Sequence, residues 1–223
     1  TGQGTTASIA ETLAVSRRLA TVLIETARAQ GIVELKPGIV AGELRVDLTP
    51  RGRSMAVEAF ANSAYIGPLP VSLDEYSRRV LRQTIRGEVV GAQAVATAMQ
   101  PLVVEEDLLA KVGIAANAGR SILLYGAPGN GKTSIAERMV KAFSAMVLVP
   151  HCFEVGGQIV KVFDPSVHRR LGSAGGRTTS ASLFADEFDP RWVACRRPFV
   201  AAGGELSLDM LDLKFEETAR FYE

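Results

Sequence analysis

Apolar and polar positions recur with two different periods along this chain, and the switches between them mark its elements. Ile9, Ala10 and Leu13 fall on one face at helical spacing, and a break follows at Val15 and Ser16. Leu19, Val22, Leu23 and Ala27 then form a second helical stripe. Ser16 is a natural N-cap for that second helix and Gly31 a natural stop. Next come Ile32, Val33 and Leu35, a Lys36-Pro37-Gly38 turn, and Leu44, Val46 and Leu48 alternating with Arg45 and Asp47, which together predict a β-hairpin. Thr49-Pro50-Arg51-Gly52-Arg53 closes it, and a third helical pattern runs from Met55 to Phe60. Further on, Leu73, Tyr76, Val80 and Leu81 mark an amphipathic helix, and 92–99 and 105–112 predict two more. Ser121-Ile122-Leu123-Leu124-Tyr125 has the pattern of a buried strand. After a glycine-rich turn, Ile135, Met139, Val140 and Phe143 stripe a helix on which Glu137 and Lys141 are spaced for an i,i+4 pair. A second strand is expected at 146–149, and 153–155 and 158–163 flank Gly156-Gly157 as a hairpin. Residues 172–182 have the composition of a surface loop, and one more helix is expected near 206–213.

These elements group into three parts. Gly67-Pro68-Leu69-Pro70 is held extended by its prolines and makes the best boundary. Before it, helix, turn, helix, hairpin and helix follow the order of a winged helix-turn-helix, and Leu48-Thr49-Pro50-Arg51-Gly52 resembles the LTxxG exit of the wing in winged-helix regulators. The first helix of such a domain is missing or very short, because residues 1–7 are rich in Gly and Thr. The reading is therefore a winged-helix-like accessory domain at 1–66, a helical connector at 67–118, and an α/β domain from 119 to 223.

Charge does little to redirect this picture. The 223 residues carry a formal charge of +1, and the three parts hold 7 basic and 6 acidic, 5 and 6, and 13 and 12 groups. No global field draws the chain to nucleic acid or anionic lipid, so any such partner needs a local patch. Cys152 and Cys195 are too few for a disulfide framework and suit a reducing compartment. No apolar run approaches the roughly 20 residues of a membrane span, and residues 1–15 lack a signal-peptide layout. A cytoplasmic location is expected.

The chemistry lies in Gly126-Ala127-Pro128-Gly129-Asn130-Gly131-Lys132-Thr133, which matches G-x-x-x-x-G-K-[ST] between a strand pattern and a helix pattern. Chance alone supplies roughly 0.006 such matches in a chain of this composition. Glycines let successive backbone N–H groups converge into an anion nest, and the helix start adds its positive dipole end. A side chain at Gly131 would intrude on the phosphate oxygens. Lys132 is expected to reach the β- and γ-phosphates, Thr133 to ligate the bridging Mg²⁺, and Ser134 to add a contact near the α-phosphate. ATP or ADP with Mg²⁺ is the expected ligand.

With its internal proline, this loop resembles that of the AAA+ ATPases. The stretch from Ser121 through Arg138 resembles a bacterial MoxR-related group described as predicted ATPases with chaperone activity. The resemblance extends upstream through Tyr65-Ile66-Gly67-Pro68-Leu69-Pro70 and downstream through the Pro150-His151 hairpin to Phe163-Asp164-Pro165 and Arg196-Arg197-Pro198. It implies a P-loop NTPase core with the winged helix as an accessory domain, in a chaperone-like remodelling machine, usually a homo-oligomeric ring that acts on a client protein.

The acidic pair needed for hydrolysis departs from that pattern. Ser182-Leu183-Phe184-Ala185-Asp186-Glu187 is the nearest candidate, but only three apolar residues precede its acids, and a solvated loop or helix start is the favoured reading. Sensor and arginine-finger residues are not assignable. Because 90 residues follow Thr133, fewer than the family's core requires, the chain is expected to be a truncated piece that binds nucleotide and needs further residues to hydrolyse it. Two alternatives remain, a DNA-binding winged-helix regulator with a nucleotide-sensing loop and a P-loop phosphotransferase. The DNA face would use Arg17 and Arg18, whose charge opposes the helix dipole by roughly 0.3–1 kcal/mol each, with Lys36, Arg45, Arg51 and Arg53 on the wing. A protein-docking or purely structural role is the favoured reading of that domain. His151, Cys152, His168 and Cys195 fit no zinc spacing and are expected in core or surface places. The hairpin at 153–163 is expected to complete a sheet edge.

Overall fold

Caps and one close backbone contact fix the N-terminal elements. In this computed structural model, which describes residues 3–40, 43–143, 146–171, 189–200, 207, 209, 212–217 and 220–222, a short β1 (Gln3–Gly4) leads into α1 (Thr6–Leu13) through a capping box between Thr5 and Ser8. Ser16 accepts from the Leu19 N–H at the start of α2 (Arg17–Ala29), as its position in the sequence leads one to expect. The hairpin of β2 (Val33–Val40) and β3 (Glu43–Leu48) follows, and α3 (Pro50–Asn62) returns over it. β1, β3 and β2 form one antiparallel sheet.

The Leu48-Thr49-Pro50-Arg51-Gly52 segment has a clear physical basis. Thr49 Oγ1 accepts from the Gly52 N–H (3.0 Å) and donates to the Gly31 carbonyl (2.6 Å), while the Thr49 N–H donates to the Ile32 carbonyl (3.0 Å). Pro50 sits in the first turn of α3, where its missing N–H costs nothing. Gly52 lies so close to Ile32 that a Cβ there would stand 2.1 Å from the carbonyl oxygen.

The Gly67-Pro68-Leu69-Pro70 segment is a packed junction. The Leu69 N–H donates to the Leu13 carbonyl (2.9 Å), and the Leu69 side chain packs on the buried cluster of Ala10, Val15 and Ala20. Tyr65 Oη donates to the Pro68 carbonyl (2.9 Å). The chain then forms β4 (Val71–Ser72), α4 (Leu73–Arg82), α5 (Ala92–Met99) and α6 (Glu106–Asn117). Acidic Asp74 and Glu75 begin α4 while Arg79 and Arg82 end it, in the sense that its dipole favours. α7 (Lys132–Met139) shares a core with α5 and α6, in which Val90, Val95, Met99, Val112, Ala116 and Met139 are buried.

The remaining strands build two further sheets. β5 (Met146–Pro150) pairs antiparallel with β8 (Trp192–Arg196). The hairpin of β6 (Cys152–Val155) and β7 (Gln158–Lys161), turning at Gly156-Gly157, sits at the centre of a mixed sheet ordered β4-β6-β7-β10-β9, with β9 at Phe215–Glu216 and β10 at Phe221–Tyr222. The expectation of an edge hairpin is thus corrected: β6 pairs in parallel with β4 and β7 with β10, so both outer edges are covered. Val71, Leu148, Phe153, Val160 and Trp192 bury one cluster across both sheets. The loop expected at 172–182 lies outside the described residues, and the helix expected near 206–213 falls largely outside them.

The strand expected at 121–125 does not form. A strand needs a neighbour's free edge, and residues 121–125 pair with no strand among the described residues; they carry no regular structure, with Leu123 and Tyr125 84% and 89% exposed. β5 is itself engaged on both sides, by β8 on one and by the Gln83 side chain on the other, which donates to the Leu148 carbonyl (3.0 Å) and accepts its N–H.

Two substitutions test these contacts. Gln83→Ala leaves the Leu148 backbone groups without partners and should lower unfolding free energy by about 1–3 kcal/mol. Gly52→Ala forces α3 away from Ile32 and should cost about 1–3 kcal/mol. Urea titrations followed by circular dichroism measure both, and unchanged midpoints would contradict the two assignments.

Candidate nucleotide-binding loop

Helix α7 begins in an unusual electrostatic condition because its N-cap is glycine. Gly131 adopts φ 69° and ψ 18°, in the left-handed region, and has no side chain to accept a hydrogen bond from the first turn. The first helical bond runs from the Ile135 N–H to the Gly131 carbonyl (2.9 Å). The N–H groups of Lys132, Thr133 and Ser134 precede it and have no acceptor within the helix. A Ser or Asp cap would consume one of these donors; glycine leaves them for an anion.

The loop before the helix holds this arrangement open. Gly126 and Gly129 also have positive φ, 147° and 86°. No atom stands within 4 Å of a Cβ built at Gly126, Gly129 or Gly131, so the described structure requires these glycines for backbone conformation. The expected intrusion of a Gly131 side chain is therefore a matter of its φ rather than of crowding within the chain. Lys132 Nζ folds back to donate to the Gly126 carbonyl (3.1 Å) and the Ala127 carbonyl (2.8 Å), which sets its charge across the loop. Ala127, Pro128 and Asn130 are exposed along the turn; Thr133 is exposed and Ser134 half-buried in the first turn of α7. Thus Gly126 through Ser134 stand together around one helix start.

That helix start is anchored from its other side. Met139 is buried among Val95, Met99, Val112 and Ala116, and Ile135, Ala142 and Phe143 pack against the same cluster. Asn117, missed by the sequence reading, locks this support: its Oδ1 accepts from the Val90 N–H (2.8 Å), and its Nδ2 donates to the carbonyls of Val90 (2.9 Å) and Gly113 (2.9 Å). A lone Asn acting 27 residues away leaves no local pattern in a sequence. The expected Glu137–Lys141 ion pair is not formed among the described residues; Lys141 instead lines an open groove beside α5.

Three of the six basic residues considered for DNA are engaged within the chain. Arg17 pairs with Glu43 (3.2 Å), whose other oxygen accepts from the Ala7 N–H (2.8 Å). Glu43 thus supplies the anion that Arg17 at a helix start called for, so no external phosphate is needed to explain it. Lys36 pairs with Glu34 (2.7 Å) and Arg53 with Asp47 (3.7 Å). Arg18, Arg45 and Arg51 make no ion pair among the described residues.

Cys152 and Cys195 are both buried and free, Cys195 within the cluster of Val147, Val149, Phe163 and Val193. The Cys152 thiol donates to Tyr65 Oη (3.1 Å), and burial pushes its pKa up against the opposing pull of that bond and of Arg191. His151 is half-buried with its ring 5.3 Å from that of Phe163, and His168 stacks on the same ring at 5.8 Å while its Nδ1 accepts from the Asp164 N–H. The acidic candidates Asp186 and Glu187 lie outside the described residues.

Residues 122–196 match the family model for the ATPase family associated with various cellular activities (AAA). No curated protein and no solved structure gives a significant match. The matched segment takes in the loop, α7 and the strands from β5 to β8, and it supports an α/β phosphate-loop fold with an ATP-binding AAA+ module.

His151 gives this region a pH signature. Burial first, and then the Arg170 cation, hold its pKa below the ordinary histidine value. The unfolded chain therefore takes up this proton at higher pH than the folded one, so stability is full above the ordinary histidine range and is lost as pH falls through it. Denaturation at pH 8 and pH 5.5 should show a smaller loss in His151→Gln than in the unaltered protein; equal losses would refute the assignment.

Proposed function

We propose that this chain is the Mg-nucleotide-binding part of an AAA+ remodelling ATPase. The observation that carries the reading is the uncapped start of α7, where three backbone donors and Lys132 meet at a loop shaped by glycines of positive φ. Residues Gly126 through Gly131 would wrap the phosphates with their backbone, and Lys132 would exchange its two carbonyl partners for phosphate oxygens. The Thr133 hydroxyl would hold Mg²⁺, and Ser134 would add a donor beside it. The donor set fits this ligand because it is all N–H, ammonium and hydroxyl at a helix N-terminus. Bound Mg²⁺ supplies charge neutralisation between phosphate oxygens. Hydrolysis requires an acidic residue to orient water, and the described residues place none at the loop.

A chaperone-like role on a protein client, in a homo-oligomeric ring, fits the family match. The N-terminal elements fit a winged-helix accessory domain that docks to protein. Leu19, Val22 and Leu23 on α2 are 44%, 51% and 38% exposed, and the neighbouring Arg17 is paired internally. An apolar helix face whose first cation is already engaged suits a protein surface better than a phosphate backbone.

The direct test is calorimetric titration with Mg-ADP and Mg-ATP. Lys132→Ala should weaken both at least tenfold while leaving the circular dichroism spectrum unchanged. Equal affinity in the two proteins would overturn the nucleotide-binding reading.

A further inference from the structure

The far end of α7 holds a second positive site. Arg138 and Lys141, one turn apart at the end of α7 and the short 3₁₀ turn that continues it, line an open groove of about 530 Å³ against α5, whose exposed Gln93 and Thr97 complete its polar side. Ala94 and Ala98 form the rest of its lining, and their small side chains leave it room. No carboxylate lines it. Arg138 is half-buried, and neither it nor Lys141 makes an ion pair or side-chain hydrogen bond among the described residues. A carboxylate stands within sequence reach of Lys141, at Glu137, and is not used.

From this we infer that the groove between α5 and the end of α7 binds the phosphate group of a small phosphate monoester. Two cations match the charge of a dianion, whereas a single carboxylate would neutralise only one of them. The guanidinium offers a planar fork of N–H donors, the ammonium three rotatable ones, and Thr97 and Gln93 one donor group each, so three phosphate oxygens can all be satisfied. The groove is open to solvent on one side, so a phosphate held by the two cations can carry a small organic body outward. Arg138 is six residues beyond Lys132, or about 9 Å along the helix axis. The site is thus distinct from the glycine loop and shares its helix.

The probes are glycerol 3-phosphate, inorganic phosphate and glutarate, titrated calorimetrically and by amide chemical shifts on α5 and α7. Lys132→Ala serves as a second background in which the loop is disabled. Glycerol 3-phosphate should bind saturably in both backgrounds, and R138Q/K141Q should weaken it at least tenfold in each. Tighter binding of glycerol 3-phosphate than of inorganic phosphate would support an ester as the ligand; equal binding would support the phosphate group alone as the recognised unit. Binding unaffected by R138Q/K141Q, or abolished by Lys132→Ala, would overturn the site, as would glutarate binding as tightly as phosphate. R138Q/K141Q should retain its circular dichroism spectrum and its Mg-ADP affinity, so the failure of this site and the failure of the loop read out separately.

Discussion

A loop that recognises phosphate with its backbone must keep the first N–H groups of its helix unpaired, and most of what surrounds α7 serves to make that tolerable. An uncapped helix start loses on the order of 1 kcal/mol relative to one capped by Ser or Asp. Gly131 adds the entropic cost of a residue free to leave the left-handed region. The compensation is tertiary. Met139, Ile135 and Phe143 commit the apolar side of the helix to α5 and α6, and burying a side chain of that size contributes about 1.5–3 kcal/mol. The helix is therefore held by its flank and left open at its tip, which is the order of priorities that an anion site requires.

The same logic explains why side-chain amides recur at the junctions. Gln83 meets both backbone groups of Leu148, and Asn117 meets both of Val90. Each acts as one residue of a strand, with a donor and an acceptor presented together. They pair backbone where a continuous strand would otherwise be needed, so α4 can lie against β5 and the end of α6 against the entry to α5. Arg191 performs a related task with charge, bridging Asp189, Glu75 (3.7 Å) and the Pro70 carbonyl (3.1 Å) and so tying β8 to the start of α4. Residues 121–125, by contrast, meet no such partner among the described residues and carry no regular structure.

Local chemistry was legible in the sequence and partnership was not. Ser16 announced its helix because a cap acts within three residues, and Gly156-Gly157 announced its hairpin because a turn is equally local, whereas Thr49, read as closing the hairpin, proves to cap α3 ahead of the apolar pattern that begins at Met55. The loop from Gly126 to Thr133 was legible because its function needs fixed residue types at fixed spacing. The strand reading of Ser121-Ile122-Leu123-Leu124-Tyr125 failed because an apolar run reports a preference for burial and says nothing about whether a sheet edge is free. Glu43 was invisible as the partner of Arg17, and so the arginine looked as though it needed an outside anion. The β6–β7 hairpin was placed correctly, but its position within the sheet depended on β4 and β10, two-residue strands with no periodicity to detect.

Where the positive charge is not consumed internally matters more in this chain than how much of it there is. The formal charge is +1, so affinity for anions cannot come from an extended basic surface. Near the N-terminus, Arg17, Lys36 and Arg53 are each paired with a carboxylate a few ångströms away, and exposed pairs of this kind hold their partners weakly while screening the field beyond them. Along α7 the opposite holds. Lys132 contacts only neutral carbonyls at one end, and Arg138 and Lys141 face a groove without a carboxylate at the other. Neutral carbonyls orient a lysine without cancelling its charge, so the loop keeps its attraction for an anion. The fold thus sets carboxylates against Arg17, Lys36 and Arg53 and, among the described residues, none against Lys132, Arg138 or Lys141, so α7 keeps its attraction for an anion at both ends.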